Sequence, residues 1–295
     1  MPIEDFIIYV YCCVDDAIHQ LFPTPLRTRG FAPKLSDAEV VTMEIIGEFM
    51  GKDCDKSIWR YFRNHWHPWF PNLGSRSNFV KQSANLWAVK EEIQRYLIRK
   101  MGALTDSVHM SDGFPMPVCT ITRASRNQCF LGEAAYGYCA SKDEHYYGFE
   151  GHLVVNLDGI ICGYTFAAAN IDERDVLQDM TEGLSGLLIS DKGLIRPELK
   201  AELAKQGLNL QTPFRKNMKD SRPKEVVRLF MKIRRRVETV ISQLSEQFHI
   251  EKVRAKDIWH LTNRFIRKIL AHTIGVFLNK FLGYPPLHLA ELAEI

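Results

Sequence analysis

The sequence predicts a mixed α+β/α/β fold: an all-helical domain over residues 1–103, then a mixed β-sheet flanked by helices over residues 104–295. Three observations carry this. In the first hundred residues, apolar side chains recur at helical spacing. After Gly102 the period changes to strand-like alternation. Further on, short apolar runs of buried-strand type alternate with amphipathic helices, the order expected of a sheet covered by helices.

The elements follow in order. "LSDAEVVTMEIIGEFMG" opens with a capping box, Ser36 with Glu39, and closes at Gly51. "IWRYFRNHWHPWF" is dense in aromatics and punctuated by Pro68 and Pro71. "SNFVKQSANLWAVKEEIQRYLIRKMG" reads as one long amphipathic helix ending at Gly102. Such a domain, with interleaved Arg and His, suits either a helix-turn-helix DNA reader or a bundle that only packs. "SVHMSDGFPMPVCTIT" reads as two short strands around a Gly/Pro turn, and "HYYGFEGHLVVNLDGIICGYTFAAAN" as a hairpin turning at Asp158-Gly159. A helix from about Glu173, the strand "GLLIS", the helix "RPELKAELAKQG" and the strand "LNLQTPF" come next. The last is a long helix from Lys224 to about Phe248, with an apolar spine through Val226, Phe230, Ile233, Val237, Ile241, Leu244 and Phe248.

Composition excludes several classes. With 46% hydrophobic and 25% charged residues, the chain is neither disordered nor membrane-embedded. The start "MPIEDF" is acidic where a secretory leader is basic, and the run Ile269–Leu278 is too short to span a bilayer. A cytoplasmic location and no membrane partner are expected. The seven cysteines form no CxxC pair and read as reduced, packed thiols. Residues 1–55 hold 4 Lys/Arg against 10 Asp/Glu, whereas residues 192–268 hold 20 against 8. So basic a segment points to a polyanionic partner, nucleic acid above all.

Three acids stand out by position. Asp112 closes "SVHMSD" and Asp191 closes "LLISD", each at the C-terminal end of a strand, where open sheets bind ligands. Singly, each also reads as a turn cap. Glu238 follows Arg234 and Arg235 in "RRRVETVISQL", and alone reads as half of a helical ion pair. Together the three make an all-oxygen set suited to Mg²⁺ or Mn²⁺. Two such ions, about 4 Å apart, would clamp the attacking and leaving oxygens of a phosphoryl transfer. Arginines before the glutamate would then meet DNA phosphates.

In these motifs and in this order, the sequence resembles the DDE transposases of bacterial insertion sequences. The resemblance covers roughly residues 105–275 and rests on "SDGFPMPV", "YYGFEGHLVVNLDGIICGYTFAAANIDERD", "LLISDKGL", "TPFRKNMK" and "RRRVETVISQL". It implies a ribonuclease H-like catalytic domain with Asp112, Asp191 and Glu238 as catalytic metal ligands for two ions. It also implies cleavage at the element's ends, strand transfer into target DNA, and a homodimer that cuts two ends in register. By match, His152, Asn170 and Asp172 would orient ligands or substrate; otherwise they are polar turn and strand groups. Lys192, Arg215, Lys216, Arg234 and Arg235 would contact DNA. The chain departs from many relatives with Leu194 where they have an aromatic, and with Met231 and Ser245 in place of a Tyr and a Lys. The rivals are a metal-dependent nuclease of the same fold and an inactive DNA-binding descendant.

Overall fold

A computed structural model describes the chain except residues 28–29, 31, 141, 215–221 and 293–295. In chain order its helices begin with α1 (Ile3–Leu21), α2 (Asp37–Phe49), α3 (Asp55–His65), α4 (Arg76–Asn85) and α5 (Trp87–Lys100). Then come β1 (Val108–Thr120), α6 (Ile121–Ala124), β2 (Ala135–Cys139), β3 (Glu144–Asn156), β4 (Ile161–Ala168), α7 (Glu173–Met180) and β5 (Gly186–Ile189). The chain finishes with α8 (Pro197–Lys205), β6 (Leu208–Gln211), α9 (Lys224–Glu246) and α10 (Ile258–Phe281). All seven cysteines are free. Among the described residues no helix is long and apolar enough to cross a membrane.

Two compact units result. One comprises Met1–Lys100, Leu244–Ile250 and Arg254–Ile295; the other comprises Met101–Gln243 and Glu251–Val253. The sequence alone places everything from residue 104 to 295 in the second domain. Residues 254–295 instead group with the N-terminal helices, and charge explains why.

In the helical unit, the expected capping box at Ser36 and Glu39 starts α2. Phe49 meets Phe6 and Phe248 edge to face at 4.9 and 5.2 Å. The buried face of α2 also carries Glu44 and Glu48, which would be costly there without cations. Lys90 of α5 pairs with Glu44. Arg267 of α10 binds Glu48 (2.6 Å), Glu44 (3.2 Å) and Asp55 (2.6 Å), and Lys268 binds Glu48 (2.6 Å) and the Phe248 carbonyl. Burial pushes the Lys268 ammonium down to about 8, against the pull of Glu48. Arg264 donates to the Asp53 carbonyl, and Arg254 pairs with Asp53 at 3.0 Å. Arg254, Arg264, Arg267 and Lys268, all from the basic segment, are therefore engaged by acids and a carbonyl of the first fifty-five residues, apart from the Phe248 contact. The predicted helix through residues 77–102 breaks at Leu86, giving α4 and α5; both meet α10, but α4 also packs on α2 and α3 and α5 on α1.

The second unit is built on one six-stranded sheet. β3 pairs antiparallel with β1 along one edge; β2 and then β4 share its other edge. β1, β5 and β6 run parallel. The β3–β4 hairpin turns where predicted, with Gly159 at φ +81° and the Asn156 side chain accepting from Ile160 N at 2.8 Å. Leu177 and Met180 of α7 and Leu199 and Leu203 of α8 pack with Val154, Leu188, Leu208 and Leu210 on one face of the sheet. Leu194 is a buried member of this cluster.

Two predicted features change. The strand β2 has no counterpart among the predicted elements. "SDGFPMP" is not a turn: β1 pairs with β3 from His109 to Thr120 with a single irregularity at Pro117/Cys119. Pro115 and Pro117 fit because β5 pairs with β1 only over Val108–Met110. Beyond that point the described residues leave one edge of β1 open, where a missing N–H costs no ladder bond.

Candidate active site

The parallel pairing of β1 with β5 sets up the site. Its last matched residues are Met110 and Ile189. Ser111 and Ser190 follow, their hydroxyls hydrogen-bonded to each other. Asp112 and Asp191 come next on each strand. The two aspartates thus occupy equivalent positions just past the last pair, although Asp112 lies within a strand and not at its end.

The third acid arrives on α9, whose buried face holds Val237, Val240 and Leu244. Arg234 and Glu238 stand one helical turn apart. The ion pair that this spacing predicts is present, Arg234 Nη1 to Glu238 Oε1 at 3.3 Å. Arg234 has a closer partner, however: its Nη2 donates to Asp112 Oδ2 at 2.7 Å. One guanidinium, its side chain only 12% exposed, joins the strand aspartate to the helix glutamate. The other oxygen of Asp112 accepts from Gly113 N at 3.0 Å.

Electrostatics extends this group beyond the expected three acids. Burial holds the Asp112 carboxyl above the usual range; Arg234 and the Gly113 N–H oppose the shift, and Asp191 and Glu238 add to it. Glu150 is likewise raised by burial, then by Asp112 and Asp172. Glu173 is raised to about 8 by burial, then by Asp112, Glu150 and Asp191, with Arg234 opposing. Its Oε1 is buried without a hydrogen-bond partner among the described residues. Strand alternation places Asp112 on the face shared with Leu153, and Gly113, His152 and Glu150 on the other. Gly113 gives these two room, since a Cβ there would lie 3.0 Å from Glu150 Oε1 and 3.2 Å from His152 Nδ1. Sequence reasoning misses Glu150 and Glu173. Their signal is faint: Glu150 sits two residues before His152 on one strand face, and Glu173 directly follows Asp172.

The remaining predicted residues are placed as follows. His152 is fully buried, neither ring nitrogen has a hydrogen-bond partner among the described residues, and burial pushes it down to about 4, so it is neutral. Asp172 caps α7, accepting from Arg174 N at 3.0 Å and Arg174 Nε at 2.7 Å; that side-chain bond holds its carboxyl below the usual range. Asn170 lies in an exposed turn, and Lys192 and Arg235 are exposed. Arg215 and Lys216 lie outside the described residues.

The sequence pattern and this geometry agree with one comparison. A family profile described as "Transposase DDE domain" matches residues 102–258. The chain belongs to the transposase DDE domain family. No protein of curated function matches the sequence. Among solved structures, a piggyBac transposase in a synaptic complex with hairpin DNA is similar at 9% identity and a TM-score of 0.48, over 98% of this chain and 76% of that one.

The matched DDE domain holds the whole sheet and all the acids just described. Its donor set is chemically right for a hard divalent cation, being carboxylate oxygen only. Asp112, Glu238 and Glu173 all act on, or are acted on by, the Arg234 guanidinium. Among the described residues, no three His, Cys, Asp or Glu side chains already form a group able to hold a metal ion. In this domain one guanidinium, that of Arg234, is bound by both Asp112 and Glu238.

Proposed function

We propose that this protein is a DNA transposase of the kind encoded by bacterial insertion sequences, with a ribonuclease H-like catalytic domain. It would cut DNA at the ends of its element and join the freed 3′-hydroxyls to target DNA. The observation that carries this reading is the alignment of Asp112 with Asp191 past the last β1–β5 pair, with Arg234 joining Asp112 to Glu238.

Asp112, Asp191 and Glu238 would hold Mg²⁺ or Mn²⁺, two ions in all. Bound there, the ions would supply an activated water and charge stabilisation at the phosphodiester. Arg234 would release the carboxylates, and with Lys192, Arg215, Lys216 and Arg235 would contact DNA phosphates. His152, kept neutral by burial, would hold the shape of the opposite face with Glu150. Two copies of the chain would act together, one on each element end. The helical unit would help to bind those ends.

The test is Mg²⁺-dependent nicking of a duplex carrying the element's own end. Asp112→Asn, Asp191→Asn and Glu238→Gln should each lower nicking by roughly a thousandfold or more, because groups that act as one unit fail together. DNA binding should survive. Near-normal nicking by Glu238→Gln would return that residue to a helical ion pair worth under about 1 kcal/mol. Nicking without joining by the unaltered protein would mark a nuclease of the same fold.

A further inference from the structure

The helix α3 has two unlike faces. Ile58 and Phe62 are fully buried. On the other side Lys56, Arg60 and Asn64 follow one another at four-residue spacing, all exposed. Lys52, in the turn before the helix, continues the row, its ammonium 5.8 Å over the ring of Tyr61. These residues, with Ser57 and His65, line a shallow hollow of about 440 Å³.

What sets this face apart is the lack of acids to match it. Lys52, Lys56 and Arg60 have no ion pair among the described residues. The nearest carboxylates in sequence are engaged elsewhere, Asp53 by Arg254 and Asp55 by Arg267. An exposed cation row normally finds glutamates one turn away, as Arg95 finds Glu91 and Glu92 on α5. Here Lys52, Lys56 and Arg60 keep their positive charge uncompensated, and from residue 56 to residue 90 the sequence carries no Asp or Glu. Cations about 6 Å apart along a helix, with amide, hydroxyl and ring donors between them, answer a row of phosphates.

We propose that this face of α3 is a docking surface for the phosphate backbone of duplex DNA. The assignment rests on DNA being the substrate, as proposed for the active site, and it gives α3 the part of the helical unit that touches it. Phosphate contacts carry no sequence information, so the surface would add affinity on any duplex and position the protein without choosing the site.

The experiment measures binding of the full chain to a labelled duplex of arbitrary sequence over a range of salt. Removing one phosphate-binding cation should reduce the slope of log K against log[salt] by about 0.9, so Lys56→Ala with Arg60→Ala should reduce it by about 1.8. The charge-keeping pair Lys56→Arg with Arg60→Lys should retain the original slope. Both positions are exposed, and an unchanged melting curve verifies that the variants fold. An unchanged slope in the alanine pair, with the unaltered protein binding DNA normally, overturns the assignment of α3 and leaves the transposase reading standing. If the unaltered protein shows no salt-dependent binding to duplex at all, the DNA reading fails, and this assignment with it.

Discussion

Glu173 holds a proton at neutral pH because burial and three neighbouring carboxylates act on it at once. Its folded value, about 8, lies above the ordinary value of 4.5. Between those values the folded chain binds a proton that the unfolded chain releases, so stability falls as pH rises through that window. Asp112 and Glu150, also raised, push the same way. His152 and His272, lowered by burial to about 4 and about 3, act oppositely, but only below about pH 6.5. The informative interval is therefore about pH 6.5 to 8. In chelator-treated protein, Glu173→Gln should flatten the loss of stability across it, as read from urea midpoints. A variant with the same pH dependence as the unaltered protein would show that Glu173 is not the group responsible.

At the scale of elements, the site depends on the start of β5. Gly186 has φ +96°, and a Cβ there would lie 2.3 Å from the Ser107 carbonyl oxygen. The same carbonyl accepts from Leu187 N at 2.7 Å, which opens the pairing of β5 with β1. Gly186→Ala meets a backbone atom and a left-handed conformation together, so it should cost more than about 2 kcal/mol. It should lower the melting temperature and abolish nicking though no acid has changed. Full activity in this variant would mean that the β1–β5 register does not set the site. Registers also explain what can be read in advance. Asp191 is legible because a short apolar run ends just before it. Asp112 is legible as an acid but not in its setting, since Gly-Phe-Pro is local turn chemistry, and the tolerance of Pro115 depends on an edge left open by a strand about seventy residues away. Glu150 and Glu173 are not legible, because they approach Asp112 only through the β1–β3 register and the seat of α7.

At the scale of the molecule, the charge asymmetry of the sequence has two halves. The cations of residues 222–236 follow the reading of a basic surface, with Arg228, Lys232, Arg235 and Arg236 exposed. Farther on, Arg254 and Lys256 are exposed too, but Arg267 and Lys268 do not follow that reading, because composition cannot distinguish a cation in water from one buried against an acid made about two hundred residues earlier. The buried set makes its own prediction. Glu48→Gln leaves Arg267 and Lys268 short of a countercharge in the interior and should cost about 3–5 kcal/mol. Arg95→Ala, at an exposed pair, should cost under about 1 kcal/mol. Comparable urea midpoints for the two variants would show that the network contributes nothing beyond surface pairing. Deleting residues 1–103 would likewise strip α10 of its partners, so such a fragment tests folding before it tests recognition.

The same network puts the chain's synthesis in order. Glu44, Glu48, Asp55 and Lys90 leave the ribosome early, and although Lys90 is then on hand for Glu44, the cations of Glu48 and Asp55, Arg267 and Lys268, leave it some 220 residues later. Every strand of the sheet is made in between. A nascent chain can therefore assemble its sheet while the helical unit waits, its acids still in water, for α10 to arrive. At roughly 5–20 residues per second that wait lasts from about ten seconds to most of a minute. A message cut short before α10 would yield a finished sheet beside helices that cannot close, a product for the cell's proteases to clear.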